Sequence, residues 1–243
     1  MYRIPKIIHY CWFGENEKPN IVKRCIQSWK NILDGYEIIE WNENNFDIKS
    51  LSYVHEAYKN RKYAFVSDYV RLCVLDKYGG IYLDTDIEVF KKFDDLLEYS
   101  LFAGFEEGNL IATSVIGAEQ SNYLIKKYLN EYNNYNFYNT DGSMNLTPNV
   151  RRFTELLVEK GLSLDNSKQV LKGNMCILPI EYLSPYDYIN CIYKVSKYSY
   201  CVHHFYVSWM PLSVRVKRKI KKYIVKIIGK KNLIMLRSIL RKG

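Results

Sequence analysis

The 243-residue chain is long enough for one full α/β domain with a real core and too short for two large ones. With 48% hydrophobic and 25% charged residues it falls outside the disordered and low-complexity classes. Its formal charge of +9 belongs to one end: no Asp or Glu follows Asp187, 12 Lys or Arg lie between Arg215 and Lys242, and the rest carries 23 basic against 26 acidic residues, which excludes a nucleic-acid-binding body.

Lys6 to Tyr10 reads as a first strand, with Cys11-Trp12-Phe13-Gly14 as its exit loop. Asn20 to Lys30 reads as a helix with Ile21, Cys25, Ile26 and Trp29 on one side, and Tyr36 to Trp41 as a second strand. Strand, helix, strand at this spacing predicts a βαβ unit and an α/β fold. Ala64 to Tyr78 reads as an apolar helix stopped at Gly79-Gly80, where the missing Cβ permits a left-handed cap. Ile81 to Leu83 follows as a buried strand. Leu101 to Phe105, Leu110 to Ile116, Met175 to Ile180 and Tyr200 to His204 are further expected strands, and Asn122 to Tyr132 and Val150 to Lys160 further helices. Asn133 to Asn149 is polar and reads as a long loop.

Leu212 to Gly243 differs in kind. Val216, Ile220, Tyr223, Ile224, Ile227 and Ile228 recur at helical spacing, and Lys219, Lys221, Lys222 and Lys226 fill much of the rest. The expectation is a catalytic domain over residues 1–211 and a basic amphipathic helical tail over 212–243 that binds an anionic membrane surface. A helix capping the domain with a solvated basic face is the alternative. No apolar run of about 18 residues exists, so no membrane-spanning helix is expected. The six Cys form no C-x-x-C pair and read as reduced thiols.

The chemistry concentrates in Tyr82-Leu83-Asp84-Thr85-Asp86. Two carboxylates at i and i+2 share a side of an extended strand, and at its end they can converge on one hard cation such as Mn²⁺ or Mg²⁺. Such an ion would neutralise a departing diphosphate. Asp68 and Arg71 lie one helical turn apart among Phe65, Val66, Val70, Leu72 and Leu75, so their charges are either paired or used. Tyr82 is placed to orient Asp84 or to contact a ribose. Trp12 offers a face for a nucleobase if exposed, or core packing if not. In His203-His204-Phe205-Tyr206-Val207-Ser208-Trp209 an imidazole can complete a carboxylate site, Ser208 can bond phosphate or metal, and Trp209 can pack over a sugar-phosphate.

Ile4-Pro5-Lys6-Ile7-Ile8-His9-Tyr10-Cys11-Trp12-Phe13-Gly14, Ser67-Asp68-Tyr69-Val70-Arg71, Tyr78 to Asp86 and His203 to Trp209 together resemble glycosyltransferase family 32. That DXD-containing group includes bacterial capsule and exopolysaccharide transferases and yeast Och1-type mannosyltransferases. A more distant resemblance is to the glucosyltransferase domain of large clostridial toxins. The resemblance implies a Rossmann-like GT-A fold and retention of configuration. It implies that Trp12 stacks on uracil, that Asp68 and Arg71 hold the donor sugar, that Tyr82 and Asp84 lie by the ribose and sugar, and that Asp86 is the strongest metal ligand. The toxin pattern has an acid where this chain has His204 and a Ser where it has Val207; His204 is the expected third ligand, with Ser208 as its alternative. Asn149 and Asp141, in or beside the polar loop, are candidates for sugar contacts.

The expected function is transfer of a hexose from a UDP-sugar, with UDP-galactose as first choice, to a polyprenyl-diphosphate-linked oligosaccharide in capsule or exopolysaccharide synthesis. Mn²⁺ or Mg²⁺ would be the cofactor, and the location would be cytoplasmic, against the inner face of a bacterial membrane. GDP-mannose as donor, a toxin-like glucosyltransferase acting on protein, a metal phosphohydrolase and a non-enzymatic membrane adaptor are the competing readings.

Overall fold

The computed structural model describes residues 2–187, 190, 192–206 and, in the tail, 216, 217 and 220. The chain opens with β1 (Ile7–Cys11), α1 (Asn20–Ile32) and β2 (Glu37–Trp41), then α2 (Ser52–Lys59) and α3 (Tyr63–Tyr78). β3 (Gly80–Leu83) and β4 (Ile87–Val89) flank the two-aspartate turn. They are followed by β5 (Leu101–Glu106), β6 (Leu110–Ile111), β7 (Val115–Ala118), α4 (Tyr123–Glu131) and α5 (Asn149–Val158). The described chain closes with β8 (Gln169–Leu171), β9 (Met175–Leu178), α6 (Ile180–Leu183), β10 (Tyr186–Asp187), β11 (Ile192–Tyr193) and β12 (Cys201–His203).

The central sheet runs β2-β1-β3-β7-β5-β9-β8, with β6 paired to β5. β1 is parallel to β2 and β3, β7 is antiparallel to both β3 and β5, and β9 is parallel to β5. The carboxyl ends of β1, β2, β3, β5 and β9 therefore all meet one edge of the sheet. This is the mixed α/β, Rossmann-like arrangement expected from the βαβ start, and in such sheets ligands bind beyond the carboxyl ends of parallel strands.

Strand alternation divides the core in two. Tyr82, Leu101, Ala103, Phe105 and Ile177 face one cluster, which α2 to α5 cover. Ile8, Ile81, Leu83, Phe102 and Leu178 face the other, under α1 with its buried Val22, Cys25, Ile26 and Trp29. α3 buries residues around most of its circumference because helices and sheet enclose it.

Two features fix the entry to β3. Gly80 has φ +106° and sits so close to β1 that a Cβ would lie 2.7 Å from the Ile7 carbonyl oxygen. The fully buried His9 lies 2.8 Å by Nε2 from the Gly79 carbonyl and accepts a bond from the Trp41 indole at Nδ1, so its Nε2 carries the proton donated to Gly79. Burial pushes the His9 pKa down to about 4 and keeps the ring neutral.

One expected strand divides. Leu110 to Ile116 is not continuous: Ala112-Thr113-Ser114 leaves the ladder between β6 and β7. Its carbonyls are used elsewhere, Thr113 accepting from Arg71 and Ser114 from the Asp84 amide. The tail expected over Leu212–Gly243 lies almost wholly outside the described residues. Among the described residues no helix is long and apolar enough to cross a membrane.

Candidate active site

α3 and β3 bring Asp68, Arg71, Tyr82 and Asp84 together. The Arg71 guanidinium is 3% exposed and lies 2.8 Å from Asp68 Oδ1 and 3.3 Å from Asp84 Oδ1. It donates to the Thr113 carbonyl at 2.7 Å and to the Ser67 carbonyl at 3.1 Å. It stacks 4.5 Å over the Tyr82 ring, whose hydroxyl donates to Asp84 Oδ1 at 3.0 Å. Burial disfavours the guanidinium charge, but Asp84, Tyr82 and Asp68 outweigh it and raise its pKa above the usual range. Asp68 is pushed up to about 6 by burial, against the pull of Arg71.

Asp86 follows two residues beyond Asp84, and β12 delivers its partner. β12 pairs antiparallel with β4, setting His203 opposite Ile87. Adjacent residues of an extended strand point to opposite sides. His203 turns toward the aspartates, with Nε2 3.2 Å from Asp86 Oδ1, while its ring stacks on Phe205 at 3.9 Å. The other Asp86 oxygen accepts the Tyr206 amide at 2.6 Å, and the Asp86 carbonyl accepts the His204 amide. Burial opposes the Asp86 charge, yet His203 and the Tyr206 amide leave its pKa near about 2. The same pair raises the His203 pKa against its own burial.

Asp84, Asp86 and His203 offer ligand atoms within 4.8 Å of one another. Two carboxylates and one imidazole form a hard oxygen and nitrogen set suited to a divalent cation. The imidazole of this cluster is that of His203, where His204 was the expected ligand. The β12 register turns His204 away, into a pocket where Nε2 lies 2.7 Å from Glu88 Oε2 and Nδ1 lies 2.7 Å from the Tyr193 hydroxyl.

These residues line one cavity of about 860 Å³. Trp12 enters it from the end of β1, half-buried, held by an indole bond to the Asn16 carbonyl at 2.7 Å. Asn149 enters from the start of α5, its Oδ1 accepting from Thr113 Oγ1 at 2.9 Å and its Nδ2 buried without a partner among the described residues. A second cavity of about 330 Å³, rich in tyrosine, adjoins through Asp68, Pro148 and Asn149. Asp141 is exposed and only caps its own turn through Ser143. Ser208 and Trp209 lie outside the described residues. Glu106, Thr113 and Ser114 also line the cavity and were not anticipated. A glutamate closing an apolar run, in Leu101-Phe102-Ala103-Gly104-Phe105-Glu106, is the one signal that could have found Glu106.

The capsular polysaccharide synthesis protein family matches residues 2–144, more than half of the chain. An uncharacterized glycosyltransferase of Acanthamoeba polyphaga mimivirus is 26% identical over 86% of this chain and 84% of its own length. Inositol phosphoceramide mannosyltransferase 3 of Schizosaccharomyces pombe is 31% identical over 47% of this chain, but the match spans only 33% of that longer protein. Among solved structures, the PaToxG glycosyltransferase superposes with a TM-score of 0.50 at 22% identity, covering 64% of this chain and 68% of that one. The relatives support glycosyltransferase-type activity, and the superposition supports a GT-A-like fold.

Proposed function

Because the chain belongs to the capsular polysaccharide synthesis protein family, we propose that it is a retaining, metal-dependent hexosyltransferase of the family 32 type. It uses a nucleoside-diphosphate sugar, UDP-galactose first among them. The observation that carries this reading is the convergence of Asp84, Asp86 and His203 in a cavity that Trp12, Asp68, Arg71 and Asn149 also line.

In this reading Asp84, Asp86 and His203 hold Mn²⁺ or Mg²⁺, which supplies Lewis-acid neutralisation of the diphosphate. Trp12 stacks on the base at the mouth of β1. Arg71 fixes Asp68 and Asp84 on one wall, where their remaining oxygens accept bonds from ribose and sugar hydroxyls. Tyr82, under the guanidinium, keeps Asp84 in one rotamer through its hydroxyl. Asn149 Nδ2, buried and without a partner among the described residues, donates to the sugar. The bond from the anomeric carbon to phosphate oxygen breaks, an acceptor hydroxyl oxygen bonds that carbon on the same face, and its proton leaves with the diphosphate. The acceptor is a polyprenyl-diphosphate-linked oligosaccharide. The basic segment from Arg215 to Lys242 keeps the enzyme at the cytoplasmic face of the membrane. GDP-mannose is the second donor reading, favoured by the mannosyltransferase named among the relatives.

The test is release of free nucleoside diphosphate from a panel of UDP- and GDP-sugars, with and without Mn²⁺. Metal-dependent turnover of one donor supports the reading and names the sugar. Absence of both turnover and nucleotide binding in Mn²⁺ removes it.

A further inference from the structure

Glu106 is a cavity carboxyl with no task so far; Glu17, which shares the cavity, pairs with Lys23. It is the last residue of β5, which runs parallel to β3 because β7 lies antiparallel between them. Its side chain therefore emerges at the same sheet edge as Asp84, two strands away, or about 10 Å between strand axes. It lines the same cavity. Among the described residues its carboxyl makes no hydrogen bond or ion pair, although the charges of His203 and Asp84 both act on it.

A partly buried carboxyl in the cavity wall, with no partner among the described residues, is free to meet a bound polar group. The three-residue cation cluster does not include it. What remains is a bound neutral polar group. A diphosphate drawn to a cation that Asp84, Asp86 and His203 would hold would carry its attached sugar into the cavity they share with Glu106. A carboxyl can accept bonds from two vicinal hydroxyls there.

On the reading of the cavity given above, we propose that Glu106 hydrogen-bonds hydroxyls of the transferred sugar and so sets which sugar the site admits. A site built to bond a hydroxyl rejects the sugar that lacks it or points it elsewhere, because its own polar group is then left unpaired.

The test is calorimetric titration of the full chain in Mn²⁺ with UDP, UDP-galactose, UDP-glucose, GDP and GDP-mannose, for the wild type, Glu106→Ala and Glu106→Gln. Glu106→Ala keeps its affinity for the free diphosphate and loses about tenfold or more for the preferred sugar-linked form. Glu106→Gln, which keeps a carbonyl acceptor, recovers part of that loss. Retained free-diphosphate affinity is the internal control for folding; if Glu106→Ala fails to fold, Glu106→Gln carries the comparison against donors lacking single hydroxyls. An unchanged gap between free and sugar-linked nucleotide in both variants overturns the proposal, as does an equal loss for both ligands. A wild-type chain that binds none of these nucleotides overturns the reading of the cavity itself, and this proposal with it.

Discussion

His203 Nε2 lies 3.2 Å from Asp86 Oδ1, while Nδ1 of the same ring is buried with no hydrogen-bond partner among the described residues. A metal-free histidine in this position is held by one carboxylate at Nε2 and by stacking on Phe205, with Nδ1 left open. That pairing separates His203 from its neighbour His204, whose two ring nitrogens both meet protein groups.

The first prediction follows from that contrast. Asp86→Asn and His203→Ala each lower Mn²⁺ affinity by at least about 100-fold, with the fold retained. His204→Ala leaves Mn²⁺ affinity within about twofold of the parent but costs about 1–3 kcal/mol of stability, because Glu88 and Tyr193 lose their partner. Isothermal titration with Mn²⁺ and urea unfolding read the two quantities separately. The opposite ranking of the two histidines would return the site to His204.

The second concerns pH. Against its own burial, the Asp86 carboxylate raises the His203 pKa, so the metal-free ring holds its proton to higher pH than a free imidazole. That pair stabilises the metal-free fold fully below about pH 6.5 and loses its contribution as pH rises through the folded pKa. A cation must displace the proton, so Mn²⁺ affinity rises with pH over the same window. Thermal shifts induced by Mn²⁺ should grow from about pH 6 to about pH 8 in the wild type. In His203→Gln that growth is lost.

A third prediction tests the buried guanidinium. Arg71→Ala leaves Asp68 and Asp84 without their cation in a largely buried wall and costs about 3–5 kcal/mol. Arg71→Lys recovers only part of this, because one ammonium cannot reach Asp68, Asp84 and the Thr113 carbonyl together. Chemical denaturation measures both.

The fourth addresses the turn before β3. Gly80→Ala places a Cβ 2.7 Å from the Ile7 carbonyl oxygen and 3.0 Å from His9 Nε2, in a backbone with φ +106°. It should destabilise the chain by about 3 kcal/mol. Gly35→Ala, where a Cβ meets nothing within 4 Å, carries only the strain of its φ of +83° and should cost less. Comparing urea midpoints of the two variants isolates the contact from the dihedral.

Much of this architecture was legible where periodicity was strong. The first βαβ unit, α3 and its glycine stop lie within a residue or two of their expected bounds. So does the meeting of Asp68, Arg71, Tyr82 and Asp84, because helix and strand are joined by a two-glycine turn. The short helix α2 and the three-residue strands β4 and β8 left too little pattern to read. The choice between His203 and His204 depends on the register of β12 against β4, a pairing between segments more than a hundred residues apart. No local feature of either histidine encodes it. Glu106 was hidden for the same reason: its value comes from β7 lying between β3 and β5.

Asp86 does more than face a cation. Its side chain and carbonyl accept the amides of Tyr206 and His204, the last stretch of described chain before the basic tail. A change at the ion's ligand and a pull on the chain leaving Tyr206 act on one residue. By reciprocity, whatever tightens one must bias the other by the same free energy.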